Sequence, residues 1–149
     1  MNSDLRLIMW KRTYSKTYPN LDRKSVWALW VDINNWPQWH DDLEYCTLDG
    51  PFAPGNYFML KPKDMAAVKI VLTHVTEGYS FADCTTFFGA KMFDTHLLEE
   101  TPKGLRLTNT LTVSGPLKWL WIFLVARNVA ASVPVEMEAL ATLAKKKHV

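Results

Sequence analysis

A chain of 149 residues with 48% apolar and 13% aromatic side chains is long enough to bury one core and too apolar to be disordered. Its net charge is +2, with both signs scattered along the chain, so there is no basic stripe and a nucleic-acid partner is not expected. The two cysteines, Cys46 and Cys84, fall in no Cys-x-x-Cys spacing. Met1 to Leu5 lacks a charged region followed by an apolar block, so no secretory signal is evident and a disulfide is not expected.

Residues 5 to 18 predict a long first strand, with Ile8, Trp10, Arg12 and Tyr14 alternating against Leu7, Met9, Lys11 and Thr13. Tyr18-Pro19-Asn20 ends it. Asn20 or Asp22 can then cap a short helix whose apolar positions Val26, Leu29, Trp30 and Ile33 follow helical spacing. Trp36-Pro37 disfavours helical continuation, which makes residues 32 to 39 a short turn or helical hook. Its two tryptophans are expected to close one end of the core.

Six further strands are predicted at 43–48, 57–61, 67–76, 79–88, 91–100 and 105–114. They are punctuated by Asp49-Gly50-Pro51, Ala53-Pro54-Gly55, the hairpin signal Glu77-Gly78, Gly89 and Lys103-Gly104. Ser114-Gly115-Pro116 then opens a long C-terminal helix. Residues 117–126 are almost wholly apolar. Val133, Met137, Leu140 and Ala144 continue at helix-face spacing, and Pro134 predicts a kink or break near residues 130–133. Strands joined by short turns form an antiparallel sheet, and only this helix is large enough to cover its apolar face. The run at 119–126 is too short to span a bilayer, so no stable membrane insertion is expected and the chain reads as soluble and cytoplasmic. Because that run is apolar on nearly all sides, part of it must lie against the Trp36/Trp39 hook, a homodimer partner or a membrane surface, unless it is simply packed in the core.

The order of elements, with Val26-Trp27-Ala28-Leu29-Trp30-x-Asp32, Trp36-Pro37-x-Trp39 and Gly50-Pro51-Phe52-x-Pro54-Gly55, resembles the SRPBCC superfamily, also called START-like or Bet v 1-like. Within it the chain is most similar to polyketide cyclase/dehydrase-type proteins. Val75-Thr76-Glu77-Gly78-x-x-Phe81, Thr95-His96-x-Leu98 and Ser114-Gly115-Pro116-Leu117 extend the likeness to roughly residues 5 to 146. The resemblance implies one α+β domain over residues 1–149 with a helix-grip fold. A seven-stranded curved antiparallel sheet would wrap around the C-terminal helix, with two short helices after the first strand. It also implies an apolar pocket, and relatives of this shape include lipid and hormone carriers as well as cyclases. These motifs belong to the scaffold and do not fix the chemistry.

No motif of a named catalytic machine is present, and cysteine and histidine are not clustered for zinc, so neither metal nor cofactor is implied. The best chemical candidates are Asp94 and His96, which share a strand face with Met92 and Leu98. If that face points inward, the pair could carry general acid–base chemistry. If Phe93 and Leu97 point inward instead, both candidates are lost. The expected cavity lining is Trp10, Tyr14, Phe58, Leu72, His74, Met92, Asn109, Leu111, Leu120 and Leu124. Three readings follow: a binder of a lipid-like, aromatic or polyketide-like small molecule; a cyclase or dehydratase acting through Asp94 and His96; and an interaction module with a filled core.

Overall fold

The computed structural model describes residues 10–148. Strand β1 (Trp10–Tyr18) leads into helix α1 (Arg23–Val31) and a 3-10 helix (Ile33–Gln38). Residues 5 to 9 of the expected first strand lie outside the described residues. Asp22 caps α1: its carboxylate accepts from the Ser25 N–H at 3.0 Å and from the Ser25 hydroxyl at 2.9 Å. Asn20 instead occupies the turn with φ of 62°. Val26, Leu29, Trp30 and Ile33 are all buried, as their spacing requires. The helix stops at Val31, and the 3-10 hook carries Pro37 with it. The Trp36 indole N–H donates to the Trp30 carbonyl at 3.1 Å, which locks the hook onto the helix.

Strands β2 (Leu43–Leu48), β3 (Tyr57–Pro62), β4 (Val68–Thr76), β5 (Ser80–Phe87), β6 (Ala90–Thr101) and β7 (Gly104–Ser114) follow. With β1 they form one antiparallel sheet in the order β1-β7-β6-β5-β4-β3-β2. The expected two-residue turn at Glu77-Gly78 is a three-residue loop, because Thr76 pairs with Ser80 and Tyr79 belongs to the turn. Gly78 supplies the positive φ of 83° that such a loop needs.

The C-terminal helix begins as one α-turn, α2 (Lys118–Trp121). It passes through a π-turn at Ile122–Ala126 and continues as α3 (Arg127–His148). Here the structure corrects the sequence reading: α3 runs unbroken through Pro134, and the irregular stretch lies at residues 122–126. The Arg127 N–H reaches back to the Ile122 carbonyl, five residues earlier. Val133, Met137, Leu140, Ala141 and Ala144 of α3 are buried in a core cluster with α1, the hook and the sheet's inner face. A second cluster, at the other end, joins Trp10, Ala90, Met92, Leu111, Val113, Ile122 and Ala126. Each large apolar side chain buried in this way contributes about 1.5–3 kcal/mol. Cys46 and Cys84 are free and buried. The helical stretch Lys118–Lys147 is long and apolar enough to cross a membrane by composition, yet its second half is spoken for by the core.

Candidate functional site

Between the sheet and α3 lies a cavity of about 620 Å³. Its apolar wall comes from Trp30, Trp36, Trp39, Phe58, Phe81, Ile70, Met92 and Leu107, together with Leu124, Val133, Met137 and Leu140 from the C-terminal helix. The aromatic side chains hold one another in edge-to-face contacts, Trp30 to Phe81 at 5.3 Å and Trp36 to Phe58 at 5.3 Å between ring centroids.

The polar part of the wall is dictated by strand register. The Phe88-Gly89 turn pairs Phe87 with Ala90 and therefore sets Asp83 opposite Asp94 and Phe81 opposite His96. The Pro102-Lys103 turn pairs Thr101 with Gly104 and sets Asn109 opposite His96. β6 runs from Lys91 to Leu98 without a bulge, so Met92, Asp94, His96 and Leu98 keep one face, and the first three line the cavity. Asp83, Asp94, His96 and Asn109 thus converge from three neighbouring strands.

Their geometry is close. The Asn109 amide Nδ2 donates to Asp94 Oδ1 at 2.6 Å and lies 3.2 Å from His96 Nδ1, while His96 Nε2 stands 3.5 Å from Asp94 Oδ1. The His96 ring stacks on Phe81 at 4.3 Å and meets Trp30 edge-on at 5.5 Å. Burial pulls the imidazole towards its neutral form. The Asp94 carboxylate beside it, with Asp83 and Glu136 farther off, outweighs that pull and holds the His96 pKa above the usual histidine value. Burial raises the Asp83 carboxyl well above the usual carboxylate range. Asp94 raises it further, and His96 opposes.

A second polar group faces the cavity from the helix. His40 Nε2 pairs with Glu136 Oε1 at 2.9 Å, and the Ser132 hydroxyl donates to the same oxygen at 2.6 Å. His40 Nδ1 is buried without a hydrogen-bond partner.

Of the residues expected from sequence, Asp94, His96, Phe58, Met92, Asn109 and Leu124 line the cavity. The others lie elsewhere. A register shift between Leu72 and His74 turns the end of β4 over. Leu72 stays in the core, while His74 faces outward and bonds to the Thr76 hydroxyl at 3.0 Å. Trp10 and Leu111 are sealed in the second core cluster. Tyr14, on the edge strand, packs against the first. Leu120 is half exposed on the outer side of the helix. The residues not foreseen are Asp83, which the hairpin register could have disclosed, and His40, Ser132 and Glu136, whose meeting depends on how the hook approaches α3. Among the described residues no group of three or more His, Cys, Asp or Glu is placed to hold a metal ion.

No protein-family model and no curated protein matches the sequence. Solved structures do match in shape. The di-domain ARO/CYC StfQ from the steffimycin biosynthetic pathway superposes with a TM-score of 0.76 at 11% identity, over 97% of this chain and 53% of that one. This chain therefore spans about half of StfQ. The hypothetical protein jhp0584 from Helicobacter pylori gives 0.72 at 10% identity, over 91% and 88%. Ara h 8.0201 gives 0.71 at 13% identity, over 91% and 97%. The fold is of the Bet v 1-like, or SRPBCC-like, helix-grip kind.

Proposed function

We propose that the protein binds an apolar small molecule, lipid-like, aromatic or polyketide-like, in the cavity between sheet and helix. The observation that carries this reading is the combination of an apolar, aromatic-rich wall with one converging polar cluster in about 620 Å³, within the range of small-molecule sites. The shape shared with Ara h 8.0201 and the StfQ ARO/CYC supports a hydrophobic ligand-binding fold. The protein acts as a soluble carrier or sensor in the cytoplasm on this reading.

The charge of the lining narrows the ligand. Asp83, Asp94 and Glu136 offer carboxyl groups, whereas Lys63, at the β3–β4 turn, is the one lysine or arginine among the lining residues. A head group that donates hydrogen bonds, such as a hydroxyl, phenol or amine, therefore suits the cluster better than a carboxylate. The test is displacement of a neutral dye, Nile red, from the full-length protein by dodecanol, dodecylamine and dodecanoate. Saturable displacement is expected, with dodecanoate weakest. No saturable dye binding would overturn the cavity reading, and dodecanoate binding most tightly would overturn the head-group assignment.

A second reading, catalysis, is favoured by one observation: Asp94 and His96 stand together inside the cavity with an imidazole biased towards its protonated form. There His96 would serve as general acid and Asp94 as its orienting partner or base. On a turned-over ligand, Asp94→Asn or His96→Gln would lower the rate by about a hundredfold or more with little change in binding. In a pure binder the same changes would only weaken affinity.

A further inference from the structure

Only part of the apolar run at the start of the C-terminal helix is spent on the core: Ile122 and Ala126 are buried, and its other large side chains are not. Phe88, at the tip of the β5–β6 turn, is 84% exposed, and Trp119 and Phe123 are each 67% exposed. Leu117, Leu120 and Leu124 extend the same surface. The patch is built rigidly. The Leu117 N–H donates to the Gly89 carbonyl at 2.8 Å, and the Trp121 indole N–H donates to the Phe88 carbonyl at 2.7 Å. Trp121 also stacks on Phe87 at 4.5 Å. The hairpin tip and the first helical turn are therefore one unit that presents large aromatic side chains to the outside.

Among the described residues, the charges that its own segments carry are of one sign. Between Glu100 and Glu136 the sequence contains no acidic residue, and the hairpin from Cys84 to Met92 carries only Lys91. Lys118 lies over the Trp119 ring at 5.6 Å and Arg127 over the Phe123 ring at 5.7 Å. A helical face of exposed tryptophan, phenylalanine and leucine bordered by basic side chains is suited to lie in the interface of a bilayer. Leu124 belongs both to this patch and to the cavity wall, and Phe87, beneath Trp121, also lines the cavity.

We propose that the patch formed by Phe88, Trp119, Leu120 and Phe123 docks the protein reversibly on an anionic lipid surface. Lys91 and Arg127 meet the lipid headgroups, and the cavity wall at Leu124 lies beside the contact. A two-fold contact between copies through the same patch would bring Lys91 and Arg127 of each copy towards those of the other, so charge complementarity favours the anionic surface over a second copy.

Sedimentation of full-length protein with phosphatidylcholine vesicles, with and without phosphatidylserine, tests this. Saturable binding is expected to the serine-containing vesicles only, reduced roughly tenfold or more by half-molar salt. Trp119→Ser with Phe123→Ser should abolish it. Arg127→Glu with Lys91→Glu, both exposed positions, should weaken it and provides a second arm if the first variant fails to fold. Nile red uptake without vesicles should be the same in all of these variants, which separates loss of docking from loss of the cavity. The proposal is overturned by absence of binding to either vesicle, by binding that ignores both salt and the variants, or by an ultracentrifugation result in which the wild type is a dimer and the patch variants are monomers.

Discussion

Two carboxyl groups set directly across an antiparallel pair, as Asp83 and Asp94 are, resist being ionised together, and burial of Asp83 adds to that resistance. The folded-state pKa of Asp83 lies above its ordinary 3.8, so the stability tied to its proton is complete below that value and is lost as pH rises towards the folded one. His96 is also raised, from 6.5. Its contribution is complete below pH 6.5 and is lost as pH rises through its folded value. Both act in one direction, so stability should fall as pH rises from 6.5 to 8.5, by up to about 1.4 kcal/mol per pH unit for each proton released, and the thermal midpoint should fall with it. Asp83→Asn should raise the midpoint at pH 8, where the buried carboxyl of the wild type is driven towards its charged form. A wild-type profile level across this window would refute the assignment. A steric prediction is independent of pH. A Cβ at Gly104, where φ is 133°, would stand 2.2 Å from the Tyr18 carbonyl oxygen, so Gly104→Ala should cost about 1–3 kcal/mol in denaturant unfolding.

At the scale of elements, alternation and turn residues carried most of the information. Alternation sets Asp94 and His96 on one face, and β6 keeps that parity from Lys91 to Leu98; Asn109 comes opposite His96 through the Pro102-Lys103 turn. The same rule puts His74 on the wrong face, since the register shift after Leu72 leaves no residue signature that alternation can register. Proline lacks a donor, so the sequence points to a helix break at Pro134. In the structure, packing of Val133 and Met137 on the sheet holds α3 intact past it, and the π-turn falls in a stretch with neither proline nor glycine. His40 and Glu136 are 96 positions apart (136 − 40), and no local pattern joins them. Because α3 supplies one wall of the core, deleting residues 116–149 should leave an aggregating chain without cooperative unfolding. A soluble truncation with a sharp thermal transition would contradict the architecture.

Taken whole, the molecule sets four of its seven tryptophans in two contrasting places. Trp30, Trp36 and Trp39 line the cavity, whereas Trp119 stands in the exposed patch. Filling the cavity should therefore change tryptophan emission equally in the wild type and in Trp119→Phe. The spectral response to serine-containing vesicles should disappear in that variant alone. A common loss of both signals would mean that the two surfaces are not optically separate. The π-turn at Ile122–Ala126 lies between these places and has a consequence for how the gene can change. A turn closed five residues back holds one residue more than its α-helical counterpart. Losing one codon within this stretch would restore a regular helix and leave the phase of Met137 and Leu140 against the sheet intact. The same loss within α3 would swing every later side chain out of the core. Deletion of Leu124 should thus yield a folded protein, and deletion of Ala139 should not, as thermal unfolding of the two would register. This short stretch, between cavity and patch, is where the helix can lose one residue by inheritance without losing the fold.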